Sequence, residues 1–298
     1  MTDQPRFLLV DPAHFEVSYR INPWMEPGAW AADADNNRRA ARRSFGALAD
    51  ALRGAGAVLE IVPGTPGLPD MVFPANAGVV LDGRVIVARF AHPERADEEA
   101  RFLDAFAALQ ERGLVREVAT MPSGALHEGA GDAIWDANRG FFWAGHGQRS
   151  NLAGAEAVGR FFGRELRTLR LVSPSFYHLD TCFCPLSNGH VLYYPDAFDA
   201  EGLDTIRRHV APEHRIEATR EDAEALCVNA VNVGRTVVMA RAPEPLRRRL
   251  SGAGYEVREV DLAPFILSGG AAYCMTLRLD RAVATEGAAR DRLAALPA

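Results

Sequence analysis

The chain repeats one arrangement of elements five times: a β-rich hairpin, an amphipathic helical stretch and a lone β-rich run. Repetition of this kind settles architecture before any single motif is weighed, because a missed repeat misreads the whole fold. The clearest copy starts at Val79-Val80-Leu81, turns at Asp82-Gly83-Arg84 and returns through Val85 to Arg89. Asp-Gly between β-rich runs is a strong hairpin signal. Arg95 to Arg112 reads as its helix, with Phe102, Phe106 and Leu109 on one face; Gly113 stops it, and Leu114 to Met121 reads as its lone strand.

The second copy runs from Asp132 to Trp135 and from Phe141 to Trp143, then a helix near Leu152 to Arg164 and a strand near Leu166 to Val172. The third takes Phe176 to Pro185 as its first strand, which places Cys182 and Cys184 on one face, and Val191 to Tyr194 as its second. Ala200 to His209 is its helix and Arg215 to Thr219 its lone strand. The fourth uses Cys227 to Asn232, Thr236 to Ala240, Pro243 to Leu250 and Tyr255 to Val260. The fifth is split between the chain ends. Cys274 to Leu279 supplies one strand, Phe7 to Val10 its mate, Asn36 to Arg53 the helix and Ala57 to Val62 the last strand. Paired termini would close a ring, and units of about fifty residues suit radial repetition in one domain spanning residues 1–298. A doubly wound sheet explains the tight hairpins poorly, since parallel crossovers do not use two-residue turns.

Asp11 to Asp35 breaks the pattern. It carries Pro12, Pro23, Pro27 and Gly28, with Phe15, Tyr19, Trp24 and Trp30 in need of burial, and it reads as a lid or binding loop. Composition bounds the partners. A net charge of −6 gives no reason to expect nucleic acid or an anionic membrane. The start MTDQPRFLLVDP lacks signal-peptide character and no apolar run has membrane-span length, so a cytoplasmic setting is the expectation. The four cysteines form no repeated metal-type pair, and HEGAGD at 127–132 is not a zinc HExxH motif. Neither metal nor cofactor is expected.

Phe73 to Asn76, Glu128 to Asp132, His178 to Asp180 and Cys274 all fall at or just before the first strand of a unit. In a closed ring such positions meet at one end of the axis. A thiol and a base are the minimum for covalent catalysis. Carboxylates beside them suit a guanidinium, which pairs with them through paired hydrogen bonds. His178 and Asp180, two apart on the expected strand, would face the same side. Gly269-Gly270 before Cys274 permit close approach of backbone or ligand.

These residues carry a resemblance. The strings Pro69-Asp70-Met71-Val72-Phe73-Pro74-Ala75-Asn76-Ala77-Gly78, His127-Glu128-Gly129 with Gly131-Asp132, His178-Leu179-Asp180, Cys274-Met275-Thr276 and Ile21-Asn22-Pro23-Trp24-Met25 resemble the guanidine-modifying enzymes of the pentein superfamily. The resemblance implies a five-bladed α/β propeller with a central active site. It implies that Cys274 attacks the guanidinium carbon, that His178 protonates the departing nitrogen and then activates water, that Glu128 orients His178, and that Asp180 holds the guanidinium. Arg95 and Arg149 match positions that hold a substrate carboxylate. Phe73 would lie along the aliphatic stem, and Asn22, Asp70 and Asp132 would line the site. Without the resemblance both arginines would read as solvated helix-end charges, and Asp132 as a loop carboxylate in water.

Asn76 departs from the acidic residue that deiminases and methylarginine hydrolases carry there. An amide donates as well as accepts, so it could retain a neutral ureido intermediate for a second attack. That resembles arginine dihydrolase, which converts arginine to ornithine, carbon dioxide and two ammonia. The alternatives are dimethylarginine hydrolysis or deimination to citrulline, then amidinotransfer, and outside that class a non-catalytic amino-acid binder or ring scaffold. The partner is then a small arginine-like guanidine; a homo-oligomer stays open.

Overall fold

The computed structural model describes residues 4–283; the outer limits of the expected 1–298 domain, and the first three residues of the start read as non-signal, lie outside them. Within them are five three-stranded sheets in a mixed α/β fold. Each sheet has a middle strand that is antiparallel to its hairpin mate and parallel to the strand after its helix. Arg84–Val87 pairs with Gly78–Leu81 and with Glu117–Thr120 in this way. The other sheets follow suit: Phe141–His146 between Ala133–Asp136 and Leu166–Arg170, Val191–Tyr193 between Phe183–Pro185 and Arg215–Glu217, and Thr236–Met239 between Val231–Val233 and Glu256–Glu259. The split unit is also formed. Arg6–Val10 pairs antiparallel with Leu277–Arg278 and parallel with Val58–Val62.

Local chemistry explains the regularity. Asp82 and Gly83 take φ of 53° and 68°, the two left-handed residues that a tight hairpin matching the strand twist requires. The helix Glu98–Glu111 buries Phe102, Phe106 and Leu109, as their spacing foretold. Fully buried Trp143, Phe142 and Phe183 anchor the core between sheets, and burying an aromatic of this size is worth about 1.5–3 kcal/mol.

Several expected strands are shorter than their apolar runs. The stretch before Phe183–Pro185 is no strand: His178 is the residue before a 3-10 turn, Leu179–Thr181. Cys182 ends that turn, so it does not share a strand face with Cys184. Cys274 likewise precedes a strand reduced to Leu277–Arg278, and Val231–Val233 begins four residues after Cys227. The same device recurs at Pro74–Asn76 and Gly129–Gly131. The runs around Leu179–Thr181 and Cys274 read as strands, but their backbones fold back as single turns. The expected helix from Arg95 is two pieces, Pro93–Ala96 and Glu98–Glu111.

Asp11 to Asp35 is not a featureless loop. It holds a 3-10 turn at Pro12–His14 and a helix at Pro27–Ala32, and the long helix Ala34–Gly54 starts within it. Phe15 and Trp30 are buried edge to face with ring centres 5.0 Å apart. No helix among the described residues is long and apolar enough to cross a membrane.

Candidate active site

Five short turns deliver polar groups to one place, and each is bonded to the next. Ala75 N donates to Cys274 O at 3.1 Å, Asn76 Nδ2 to Glu128 O at 3.1 Å, and Leu179 N to Asp132 Oδ1 at 3.0 Å. Asn229 Nδ2 donates to Asp180 O at 3.1 Å, and Tyr273 N to Asn229 O at 3.3 Å. These bonds run through all five units and return to the first.

The Cys274 thiol donates to Asp180 Oδ2 at 3.2 Å and accepts from Asn229 Nδ2 at 3.0 Å. Burial first, and then the Asp180 carboxylate, push the thiol well above its ordinary range, so it rests protonated. The His178 ring lies between two carboxylates, with Nδ1 3.0 Å from Asp132 Oδ2 and Nε2 3.1 Å from Glu128 Oε2. The second contact is off the axis of the ring N–H, leaving Nε2 without a hydrogen-bond partner within the protein. Asp180 Oδ1 is likewise unpartnered. Two buried polar atoms left open, one of them on the carboxylate that holds the thiol, mark where a polar substrate would bond.

Burial works against the His178 imidazolium, but Asp132 and Glu128 outweigh it and hold its pKa at about 9. Burial pushes Asp180 up to about 7, against the pull of His178. Glu128 is held well below the usual carboxylate range: burial opposes its charge, but His178 and Arg149 prevail. Arg149 donates to Glu128 Oε2 at 3.2 Å and to Ile21 O at 2.9 Å, and Ser150 Oγ donates to Asp132 Oδ2 at 2.6 Å.

Asn76 is oriented from one side. Its Oδ1 accepts from Arg95 Nη1 at 2.9 Å, while Arg95 is gripped by Glu98 through bonds of 2.9 and 2.8 Å. A side chain at Gly131 would meet Asn76 Nδ2 at 2.5 Å, and one at Gly270 would meet the Phe73 ring at 2.4 Å. Both glycines are therefore spatial requirements of the amide and the ring.

Asn22, Asp70, Phe73, Asn76, Arg95, Arg149 and Cys274 line one small cavity. Glu128, Asp132, His178 and Asp180 stand behind it, bonded as above. The expected contact of His178 with Asp180 along a strand is replaced. The 3-10 turn sends His178 to Asp132 and Glu128, and Asp180 to the thiol. Arg95, Arg149 and Asp132, solvated on the reading of the residues alone, are all buried. Accessible space in the cavity is only about 10 Å³, enough for about one water. Residues of the Asp11–Asp35 segment close it: Tyr19 bonds Asp70 at 2.9 Å, Asn22 bonds Ser268 O at 3.1 Å and Trp24 bonds Ser175 O at 2.7 Å. A more open hollow of about 340 Å³ beside Trp24, Tyr194 and Arg220 has neither a cysteine nor a histidine in its lining, so size does not locate the chemistry here.

Comparison with known proteins is decisive at this point. The family model described as N,N dimethylarginine dimethylhydrolase, eukaryotic, matches residues 11–281. The chain belongs to that family. It is 41% identical over 286 residues to the bifunctional arginine dihydrolase/ornithine cyclodeaminase AgrE of Nostoc sp., covering 96% of this chain and 39% of that protein. It spans only 39% and 38% of the lengths of its two bifunctional relatives. It is 32% identical to the N(G),N(G)-dimethylarginine dimethylaminohydrolase of Mycobacterium tuberculosis, covering 92% of this chain and 85% of that one. Among solved structures, the N-terminal domain of the cyanobacterial arginine dihydrolase ArgZ has been captured with substrate and covalently bound to a reaction intermediate. Each superposes with a TM-score of 0.86 at 38% identity, covering 94% of this chain and 100% of that domain. The resemblance to guanidine-modifying enzymes read from the motifs is thus shown.

Sequence reading overlooked Asn229, Glu98, Ser150 and Tyr177. Asn229 carried a signal, since Val228-Asn229-Ala230 precedes a first strand just as Ala75-Asn76-Ala77 does. Glu98 carried only its spacing of three from Arg95, which suits an ion pair on a helix but does not mark the pair as buried.

Proposed function

We propose that the chain is a cysteine hydrolase of arginine-like guanidines that takes arginine to ornithine, carbon dioxide and two ammonia. The observation that carries this reading is the Cys274 thiol bonded to Asp180, with an amide, Asn76, lining the same cavity and His178, its Nε2 open, standing behind it. The names of AgrE and ArgZ point the same way. In this reading Asp180 holds the guanidinium, whose charge favours ionisation of the neighbouring thiol. The Cys274 sulfur then attacks the guanidinium carbon, and a C–N bond breaks as His178 gives its proton to the departing ammonia. His178 next takes a proton from water, which attacks the same carbon and expels the sulfur. Asn76 keeps the neutral ureido product in place for a second round. The site's five carboxyl groups, Asp70, Glu98, Glu128, Asp132 and Asp180, against three cations, Arg95, Arg149 and His178, favour a cationic ligand.

The cyclic hydrogen bonds between turns support a closed ring of five blades, one catalytic domain with the pocket on its axis. Arg149 is the better candidate of the two arginines for a substrate carboxylate. Arg95 is spent on Glu98, Asn76 and Asp70 O. Arg149→Ala is expected to lose at least ~10-fold more kcat/KM on arginine than on agmatine, which lacks the carboxylate; a charge-assisted hydrogen bond of about 1.5–3 kcal/mol sets that scale. Equal losses on both would return Arg149 to orienting Glu128 alone.

The pH profile of kcat/KM should be bell-shaped. Asp180 must be anionic to hold the substrate, so activity rises through about 7. His178 must be protonated to release the first nitrogen, so activity falls through about 9. A profile that lacks either limb would break the assignment. A second reading, methylarginine hydrolysis, is favoured by the family match. Release of dimethylamine from dimethylarginine, without ammonia from arginine, would establish it instead.

A further inference from the structure

We propose that Asn229 is a catalytic residue whose Nδ2–H group stabilises the Cys274 sulfur as a thiolate, both as it attacks and as it is expelled. The inference rests on the reading of Cys274 as nucleophile and adds a second group acting on the reacting atom.

Asn229 is buried in the turn before Val231–Val233, and its amide makes four hydrogen bonds. Oδ1 accepts from Ala271 N and Cys274 N, both at 3.1 Å. Nδ2 donates to Asp180 O at 3.1 Å and to Cys274 Sγ at 3.0 Å. The two backbone N–H groups can only donate, so they dictate which end of the amide carries oxygen. Flipping it would set donor against donor. The donor toward sulfur is therefore fixed by the fold.

The sulfur has two polar neighbours of opposite kind. Asp180 Oδ2 at 3.2 Å accepts, and suits the thiol. Asn229 donates, and its bond strengthens when the acceptor becomes an anion, roughly doubling in strength for a charged partner. Ionisation sends the thiol proton to solvent by way of Asp180 Oδ2. The Asn229 donor remains at the sulfur throughout. It is weak to the thiol and to the sulfur–carbon adduct and strong to the thiolate, which is the differential interaction that accelerates a step. The titratable groups around the sulfur are Asp180 and Tyr177, with His178 acting on Asp180 by charge. Tyr177 spends its hydroxyl on Gly269 O at 2.9 Å. Asn229 supplies a neutral side-chain donor to the sulfur, beside the backbone N–H of Ala271, which spends itself on Asn229 Oδ1 at 3.1 Å.

Two variants separate the donor from its confounders. Asn229→Asp keeps an acceptor for the two backbone N–H groups but removes the donor. Asn229→Ala removes the donor without adding charge. The test follows inactivation by iodoacetamide against pH, with the carboxamidomethyl group mapped to Cys274, beside kcat and KM for arginine. In both variants the alkylation midpoint should rise by about one pH unit or more, and kcat should fall about 10²-fold with KM within about threefold, as for removal of a single oxyanion donor. Should either variant fail to fold, Asn229→Ser, whose hydroxyl stops short of the sulfur, takes its place. An Asn229→Ala midpoint and kcat matching wild type would overturn the proposal. A wild-type protein that is alkylated with this pH dependence yet does not consume arginine would uphold the thiolate role and sink the proposed substrate instead.

Discussion

Cys274→Ala should abolish guanidine hydrolysis, by ~10⁴-fold or more, in a protein that still folds. Removing the nucleophile removes the covalent route altogether, and losses of this order, about 5.5 kcal/mol, follow deletion of a catalytic nucleophile. Folding should survive because the fold does not lean on the sulfur. The backbone N–H of Cys274 still reaches Asn229, its carbonyl still accepts from Ala75, and Met275 and Leu277 remain buried. The missing sulfur leaves Asp180 one bond short and a small void, at about 1–2 kcal/mol. The checks are ammonia release and the melting temperature. Turnover within about tenfold of wild type would end the covalent mechanism.

Asn76→Asp should redirect the product from ornithine to citrulline, shifting their ratio by at least ~10-fold, or about 1.4 kcal/mol. The amide faces Arg95 with its oxygen and the Glu128 carbonyl with its nitrogen. A carboxylate keeps the first bond and turns the second into a contact between two acceptors. It also removes the donor available to a ureido oxygen, while a cationic guanidinium tolerates the new charge. The first hydrolysis should therefore persist and the second fail. Ornithine and citrulline counted from one incubation decide it; an unchanged ratio would show that retention of the intermediate lies elsewhere. Some thermal stability should also be lost, since a buried acceptor set against an acceptor costs about 1–3 kcal/mol.

How far the sequence could be read depended on how local the signal was. The hairpin at Asp82-Gly83 and the helix burying Phe102, Phe106 and Leu109 follow from neighbours a few residues apart, and all five sheets were legible on that basis. The single turns at Leu179–Thr181 and around Cys274 were not. Both read as strand, and only the packing of neighbouring units folds the first into a 3-10 turn and the second into a plain turn. That error had a consequence for the site, because it paired His178 with Asp180 when the turn sends them to different partners. Burial was also illegible. Arg95 looks like a helix-end charge until Glu98 is seen to neutralise it, and that pair meets across a break in the helix that the sequence barely marks.

The strand Leu277–Arg278 lies against Arg6–Val10, and Cys274, the proposed nucleophile, sits only three residues before it. Arg6–Val10 is thus made long before the strand that completes its sheet. Contacts this distant in order of synthesis are slow to form. A chain still short of residue 274 lacks both that strand and the sulfur, so on the proposed mechanism it cannot attack a guanidine before this sheet can close.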